Sequence, residues 1–390
     1  MTLDILCKVV DNYGDAGVVY RLARALSDID PGVRLRIVVD GLDSFAALAP
    51  GLNPQADVQT YRGWTVLRWN HRWDGFVAEP PCLVLECFAC GRPDFFEERL
   101  FDPARTERRV VVNVEHLSAE DWVDELHLMP SATRSALVEK FLFMPGFTPA
   151  SGGLILDRDF IKAKRLWDAA RSGGLDALAQ ARTDLAGRLG LLLEPGWAGL
   201  TWLTVFSYER DYRLSAAALA ELSSRSPVLA LVAPGRSSQP FLDAWEAAGR
   251  PFPALPLPFL PQEDWDQLIL AGDINIVRGE ESLARAALAG RPFIWHAYLQ
   301  DGGHHQVKVQ ALAERLAAFF EPAARATLVR CFLDFNERER DAPDQGGGED
   351  MAAFLDLALG KRDAFSSFGL SLEQNGDLAA HLMTRLRKIM

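Results

Sequence analysis

Residues 273–296 read Asp-Ile-Asn-Ile-Val-Arg-Gly-Glu-Glu-Ser-Leu-Ala-Arg-Ala-Ala-Leu-Ala-Gly-Arg-Pro-Phe-Ile-Trp-His, and they constrain the fold more than any other stretch. A short apolar run to Val277 predicts a strand, and Arg278-Gly279 breaks it. Leu283, Ala286 and Ala287 then recur at helical spacing, Gly290 suits a helix stop, and Pro292 opens a second strand. A turn of this kind aims the free N–H groups of the next helix out of the carboxyl end of a sheet, where an α/β protein binds an anion such as phosphate. Arg278 sets a permanent fork of donors at the same point. An ordinary βαβ turn, with Glu280 and Glu281 complementing the helix dipole, has the same pattern, so both readings stand at this stage.

The same alternation runs through the chain. Strand-like runs fall at residues 3–10, 35–40, 82–86, 110–114 and 141–144, separated by helical signals. Val18, Leu22, Leu26 and Ile29 mark one face of the first helix, after the turn Asp11-Asn12-Tyr13-Gly14-Asp15-Ala16-Gly17. Such alternation predicts parallel, doubly wound sheets. Helical material at 161–190 leads to Glu194-Pro195-Gly196, a linker candidate, and then the alternation restarts with strands at 200–206 and 228–232 around a helix at 215–222. Proline-dense 251–261 reads as extended, 343–349 as a flexible loop, and 378–389 as a terminal helix. The expected division is residues 1–190 and 191–370 as two Rossmann-like domains, with 371–390 packing back on the first. The site is expected in the cleft between them.

Composition sets bounds on function. With 390 residues, 49% of them hydrophobic and 24% charged, the chain can bury two or three sizeable cores. A net charge of −12 argues against a general nucleic-acid or membrane-surface binder and favours a basic partner. No apolar run approaches a bilayer span, and the N-terminus reads as a strand without a basic leader. The five scattered cysteines suit a reducing cytoplasm. Cys87 and Cys90 form a CxxC that no second pair or histidine cluster completes, so inert thiols are expected.

Three constellations could carry chemistry besides the Arg278 turn. Asp11 and Asp15 flank a glycine turn at a helix start, where paired acids can bind a cation or take a proton; they can equally cap the turn and the helix. Phe206, Tyr208 and Phe259, with Gln262 just beyond, lie near predicted strand ends, where a planar base could stack and be read by an amide, although such aromatics are often core. His296, Gln300, His304 and His305 lack an acid at metal-ligand spacing, and Asp157-Arg158-Asp159 is too common a tripeptide to count as a metal motif.

Taken together, several motifs resemble the bacterial protein-arginine rhamnosyltransferases that modify translation elongation factor P. They are Cys7-Lys8-Val9-Val10-Asp11-Asn12-Tyr13-Gly14-Asp15-Ala16-Gly17, Leu117-Ser118-Ala119-Glu120-Asp121-Trp122, Phe143-Met144-Pro145-Gly146-Phe147-Thr148, Phe206-Ser207-Tyr208-Glu209, Leu257-Pro258-Phe259-Leu260-Pro261-Gln262 and Val277-Arg278-Gly279-Glu280-Glu281-Ser282. They run in family order over residues 7 to 310.

The resemblance implies a GT-B glycosyltransferase, with two Rossmann-like domains facing a central cleft. It implies metal-independent, inverting transfer of rhamnose from dTDP-β-L-rhamnose to an arginine of elongation factor P in the cytoplasm, with no cofactor. The family's general base falls on Asp15, a second essential carboxylate on Glu280, and a further acid on Asp11. Its substrate contacts fall on Asn12, Tyr13, Gly14, Phe206, Tyr208, Phe259, Gln262, Arg278, Gly279, Glu281 and Ser282. A GT-B enzyme using another nucleotide sugar, or a non-catalytic nucleotide-binding protein, would share parts of this pattern.

Overall fold

A computed structural model of the chain describes residues 1–10, 13–337 and 347–389. The chain divides into two units, Met1–Arg158 with Glu373–Met390, and Asp159–Leu372. The boundary lies earlier than residue 190 because of where the two helices that follow it are fastened. Helices Arg158–Ser172 and Leu175–Leu189 send Arg171 and Arg182 to the buried carboxylate of Asp273, at 2.7 and 2.6 Å. The Trp167 indole also donates to Gln267 at 3.0 Å. Glu194-Pro195-Gly196 is therefore a turn inside the second unit.

The first unit is built on strands β1 (Thr2–Cys7), β2 (Arg34–Val39), β3 (Val58–Tyr61), β4 (Trp64–Arg68), β5 (Leu83–Cys87), β6 (Arg109–Val114), β7 (Pro130–Ser131) and β8 (Val138–Phe143), in spatial order β3-β4-β2-β1-β5-β6-β8-β7. All pairs are parallel except β3 with β4 and β7 with β8. Alternate residues serve opposite faces: Leu3, Ile5 and Cys7 enter one core, Leu6 the other. Covering on both faces explains why the strands read as continuous apolar runs. The β3–β4 hairpin went unanticipated; its two-residue turn, Arg62-Gly63, has positive φ at both positions, as right-twisted hairpins require.

Helix Leu378–Ile389 closes the first core, burying Leu378, Ala379, Leu382, Met383 and Leu386 among residues of β1, β2 and β5. Asp377 fixes its start, accepting the N–H groups of Leu156 (2.8 Å) and Ala380 (3.1 Å).

The second unit holds β9 (Thr201–Val205), β10 (Val228–Val232), β11 (Ala254–Pro256), β12 (Ile274–Arg278) and β13 (Phe293–His296), all parallel, in order β11-β10-β9-β12-β13. Residues 347–349, expected in a loop, begin helix Gly347–Gly360, whose Met351, Phe354, Leu355 and Ala358 are buried. Apolar spacing from 351 onward outweighs the local glycine content. Residues 343–346 of that expected loop lie outside the described residues.

Both sheets reverse their winding once. From β1 the first sheet grows through β2 to β4 on one side, then through β5, β6 and β8 on the other. From β9 the second grows through β10 and β11, then through β12 and β13. Ligands of doubly wound sheets bind outside the carboxyl ends of the strands at these reversals, here β1/β5 and β9/β12.

Candidate functional site

At the β9/β12 reversal the residues singled out from sequence converge. Phe206 and Tyr208 follow β9, and Arg278 ends β12. The Arg278 guanidinium carbon lies 4.8 Å from the Phe206 ring centroid and 4.6 Å from that of Tyr208. Two aromatic faces thus hold a permanent cation at the sheet edge. Gly279 follows with φ +68, which a side chain would strain, and this turns the chain into helix Gly279–Ala289. Arg278 is the N-cap of that helix, so its guanidinium and the positive end of the helix dipole concentrate positive potential there.

A buried polar network fixes this arrangement from beneath. Ser207 Oγ lies 2.7 Å from His296 Nδ1, and the Tyr208 N–H donates to the same nitrogen at 3.3 Å. Nδ1 accepts both, which leaves the ring proton on Nε2. Burial, reinforced by Arg210, His305 and Arg278, pushes His296 down to about 3, so the imidazole is neutral at physiological pH. The Ser207 N–H donates to Ser237 Oγ at 3.0 Å, and Tyr212 donates its hydroxyl to the Tyr208 carbonyl at 2.9 Å. Sequence reasoning set His296 and its three neighbours aside as a metal site; in the structure His296 is structural support. The signal that locates it is register, since His296 stands opposite Arg278 in the β12–β13 pair.

Trp265 joins the turn to the aromatic pair. Its indole donates to Ser282 Oγ at 3.2 Å, and its ring meets Phe206 edge-on at 5.2 Å. Gln262, buried, begins helix Gln262–Ala271, which also carries Trp265. Phe259, three residues earlier, is 47% exposed, unusual for a large aromatic on a well-packed unit. Glu280 and Glu281 are half-buried in the first turn of their helix, where carboxylates complement the dipole. Glu281 pairs with the buried Arg285 at 3.4 Å, one turn along.

In the first unit, Tyr13 and Gly14 open helix Tyr13–Ile29; Tyr13 packs on the core and Gly14 is half-buried. Asp15, buried in the first turn, accepts the Val10 N–H at 2.8 Å. Its charge acts on the thiols of Cys7 and Cys87, the last residues of β1 and β5, so its carboxylate belongs to the reversal between these strands. Asp11 and Asn12 lie outside the described residues.

Among the described residues no cluster of three or more His, Cys, Asp or Glu side chains could hold a metal ion. Asp157 is taken up by Arg21 (3.1 Å) and Arg24 (3.4 Å). Burial pushes the Cys90 thiol up to about 12, and its Sγ–H donates to the Leu6 carbonyl at 3.3 Å, the behaviour of an inert thiol. Among the described residues no helix is long and apolar enough to cross a membrane.

The chain can now be set beside known proteins. It is 35% identical over 348 residues to the protein-arginine rhamnosyltransferase of Pseudomonas putida, covering 86% of both chains. To that of Pseudomonas aeruginosa it is 34% identical over 384 residues, covering 90% of this chain and 97% of the relative. Among solved structures it resembles one described as the structural basis for EarP-mediated arginine glycosylation of translation elongation factor EF-P (TM-score 0.63, 22% identity, 100% and 99% of the two chains). It also resembles the UDP-GlcNAc 2-epimerase of Neisseria meningitidis bound to UDP-GlcNAc (TM-score 0.51, 9% identity, 100% of both chains). The fold is that of GT-B glycosyltransferases. Residues 3–387 match the family described as Elongation-Factor P (EF-P) rhamnosyltransferase EarP, so the chain belongs to that family of protein-arginine rhamnosyltransferases.

Proposed function

We propose that the chain moves rhamnose from dTDP-β-L-rhamnose to an arginine of translation elongation factor P, with inversion and without a metal. The observation that carries this reading is the seat at the β9/β12 reversal, where Phe206 and Tyr208 hold Arg278 at the start of helix Gly279–Ala289. A dTDP leaving group gains negative charge on its diphosphate as the sugar departs. A fixed guanidinium and the positive end of the helix dipole can stabilise that charge without reorganising, the service a metal ion performs elsewhere. Phe259 and Gln262 are the groups proposed to stack on and read the thymine, and Ser282 and Glu281 complete the donor turn.

The acceptor sets the harder chemical demand. An arginine side chain has a pKa above about 12, so removing its proton in advance is prohibitive. A carboxylate must hold the guanidinium, localise its charge and take the proton as the new bond forms. Asp15 is assigned this role, with Asp11 as a supporting acid and Glu280 as the second essential carboxylate. In the step, a guanidinium nitrogen attacks the anomeric carbon as the bond from that carbon to the diphosphate oxygen breaks on the opposite face. The proton passes to Asp15, dTDP leaves with the electron pair, and the configuration inverts.

The test is intact-mass analysis of elongation factor P after incubation with the protein and dTDP-rhamnose. The expected result is one deoxyhexose increment, located on an arginine by fragmentation. An unmodified acceptor, or an increment from a different nucleotide sugar in its place, overturns the reading.

A further inference from the structure

The two sheets are wound alike, so their reversals can be compared residue for residue in chemical character. At β9/β12 the loops supply a cation held by aromatic rings, which suits an anion. At β1/β5 they supply the opposite charge. The loop after β1 leads to Asp15, and the loop after β5 starts with Phe88 and Ala89.

That second loop is built at a cost in backbone strain. Phe88 and Ala89 have φ of +59 and +49, and the Cys90 N–H closes the turn on the Cys87 carbonyl at 3.2 Å. Two consecutive residues with positive φ give a turn backbone that ordinarily takes glycine, asparagine or aspartate. Each such residue is strained and persists only where its surroundings over-determine it. Those surroundings are explicit. The Phe88 N–H donates to the Val114 carbonyl at 2.8 Å, and the Ala89 N–H donates to Asn113 Oδ1 at 3.0 Å. Asn113 is itself buried, and its amide nitrogen donates to Glu115.

The turn places the Phe88 ring flat against His116, with centroids 4.5 Å apart and planes inclined by 16°. Phe88 is half-buried on the first core and His116 is exposed, just past the carboxyl end of β6. A stacked aromatic pair therefore stands on the same sheet edge as the Asp15 carboxylate. A planar guanidinium is recognised by this combination, a carboxylate for its N–H edge and an aromatic plane for its face.

We propose that Phe88 and His116 form the aromatic wall of a guanidinium subsite at the β1/β5 reversal, which receives the acceptor arginine beside Asp15. The assignment rests on the reading of the acceptor as a protein arginine. Phe88 anchors the wall, and His116 gives it the face that the arginine meets.

Steady-state transfer to elongation factor P, with donor and acceptor varied separately, tests the wall. His116→Ala is expected to raise the acceptor KM about tenfold, within the range of a partly desolvated cation–π contact, and to leave the donor KM unchanged. His116→Tyr, which keeps a planar face, restores the acceptor KM relative to His116→Ala. Phe88→Leu keeps an apolar side chain against the core but removes the stack, and is expected to raise the acceptor KM alone. Thermal melting confirms that each variant is folded. An acceptor KM within twofold of wild type in both His116→Ala and Phe88→Leu overturns the proposal while leaving the arginine reading intact. Failure of the wild-type protein to modify an arginine overturns that reading and, with it, the subsite.

Discussion

Ser207 Oγ and His296 Nδ1 lie 2.7 Å apart beneath the Arg278 seat, and the Tyr208 N–H shares the same nitrogen. The imidazole must stay neutral to accept from both. Its folded value of about 3 lies below the ordinary 6.5, so the unfolded chain binds a proton there that the folded chain does not. Stability from this group is present above pH 6.5 and is lost as pH falls toward 3, at about 1.4 kcal/mol per pH unit. Urea unfolding at a series of pH values should show this slope reduced in His296→Asn. An identical pH dependence in the two proteins would count against the neutral acceptor role.

Asp15→Asn keeps the size of the side chain but can neither take the guanidinium proton nor offset its charge. Transfer should fall mainly in kcat, with dTDP still bound, as expected of a group that acts in the transition state. Glu280→Gln should also impair transfer, and its position in the Arg278 turn means donor affinity should shift with it. Near-normal turnover by Asp15→Asn would move the base assignment to Asp11.

Phe259 is exposed on a unit whose other large aromatics are mostly covered, which is costly unless a ligand uses the ring. Phe259→Ala should weaken dTDP binding by about 1–3 kcal/mol in a calorimetric titration, the scale of base–aromatic stacking, with little change in melting temperature. Unchanged affinity would return Phe259 to ordinary loop packing.

Arg278 and the helix N-terminus are proposed to carry the diphosphate, so activity should survive excess chelator. Loss of turnover in chelator, restored by a divalent ion, would require a metal and reopen Asp157 and Asp159 as candidates.

Asp273 anchors two arginines and accepts the Trp202 N–H at 2.9 Å, all in the interior of the second unit. Removing a partner from a buried ion pair leaves uncompensated charge, so Asp273→Ala should destabilise the protein by about 3–5 kcal/mol. A loss below 1 kcal/mol in chemical denaturation would show that Arg171 and Arg182 are adequately satisfied by the backbone carbonyls of residues 270–272.

Much of this architecture was legible in the chain because parallel strands buried on both faces must be apolar throughout. The runs at 3–10, 35–40, 82–86, 110–114, 200–206 and 228–232 all correspond to strands. The Arg278 turn was legible for a related reason, since Gly279 adopts a conformation that other residues resist. What escaped notice depends on partners distant in sequence. Phe88 and Ala89 look like ordinary strand-end residues, and their strained turn is visible only once Asn113 and Val114 stand beside them. The unit boundary escaped for the same reason, because Arg171 and Arg182 find Asp273 roughly a hundred residues later. Glu194-Pro195-Gly196 had the local composition of a linker, but a linker is defined by the contacts on either side.

The first unit's discontinuity has a consequence for biogenesis. Helix Leu378–Ile389 supplies part of the core around β1, β2 and β5, yet a ribosome delivers it after the whole of Asp159–Leu372. Until then the first core lacks Leu378, Ala379, Leu382, Met383 and Leu386, and incompletely covered apolar surface is the kind that chaperones bind. Vectorial synthesis therefore favours completion of the inserted unit before that of the unit that surrounds it.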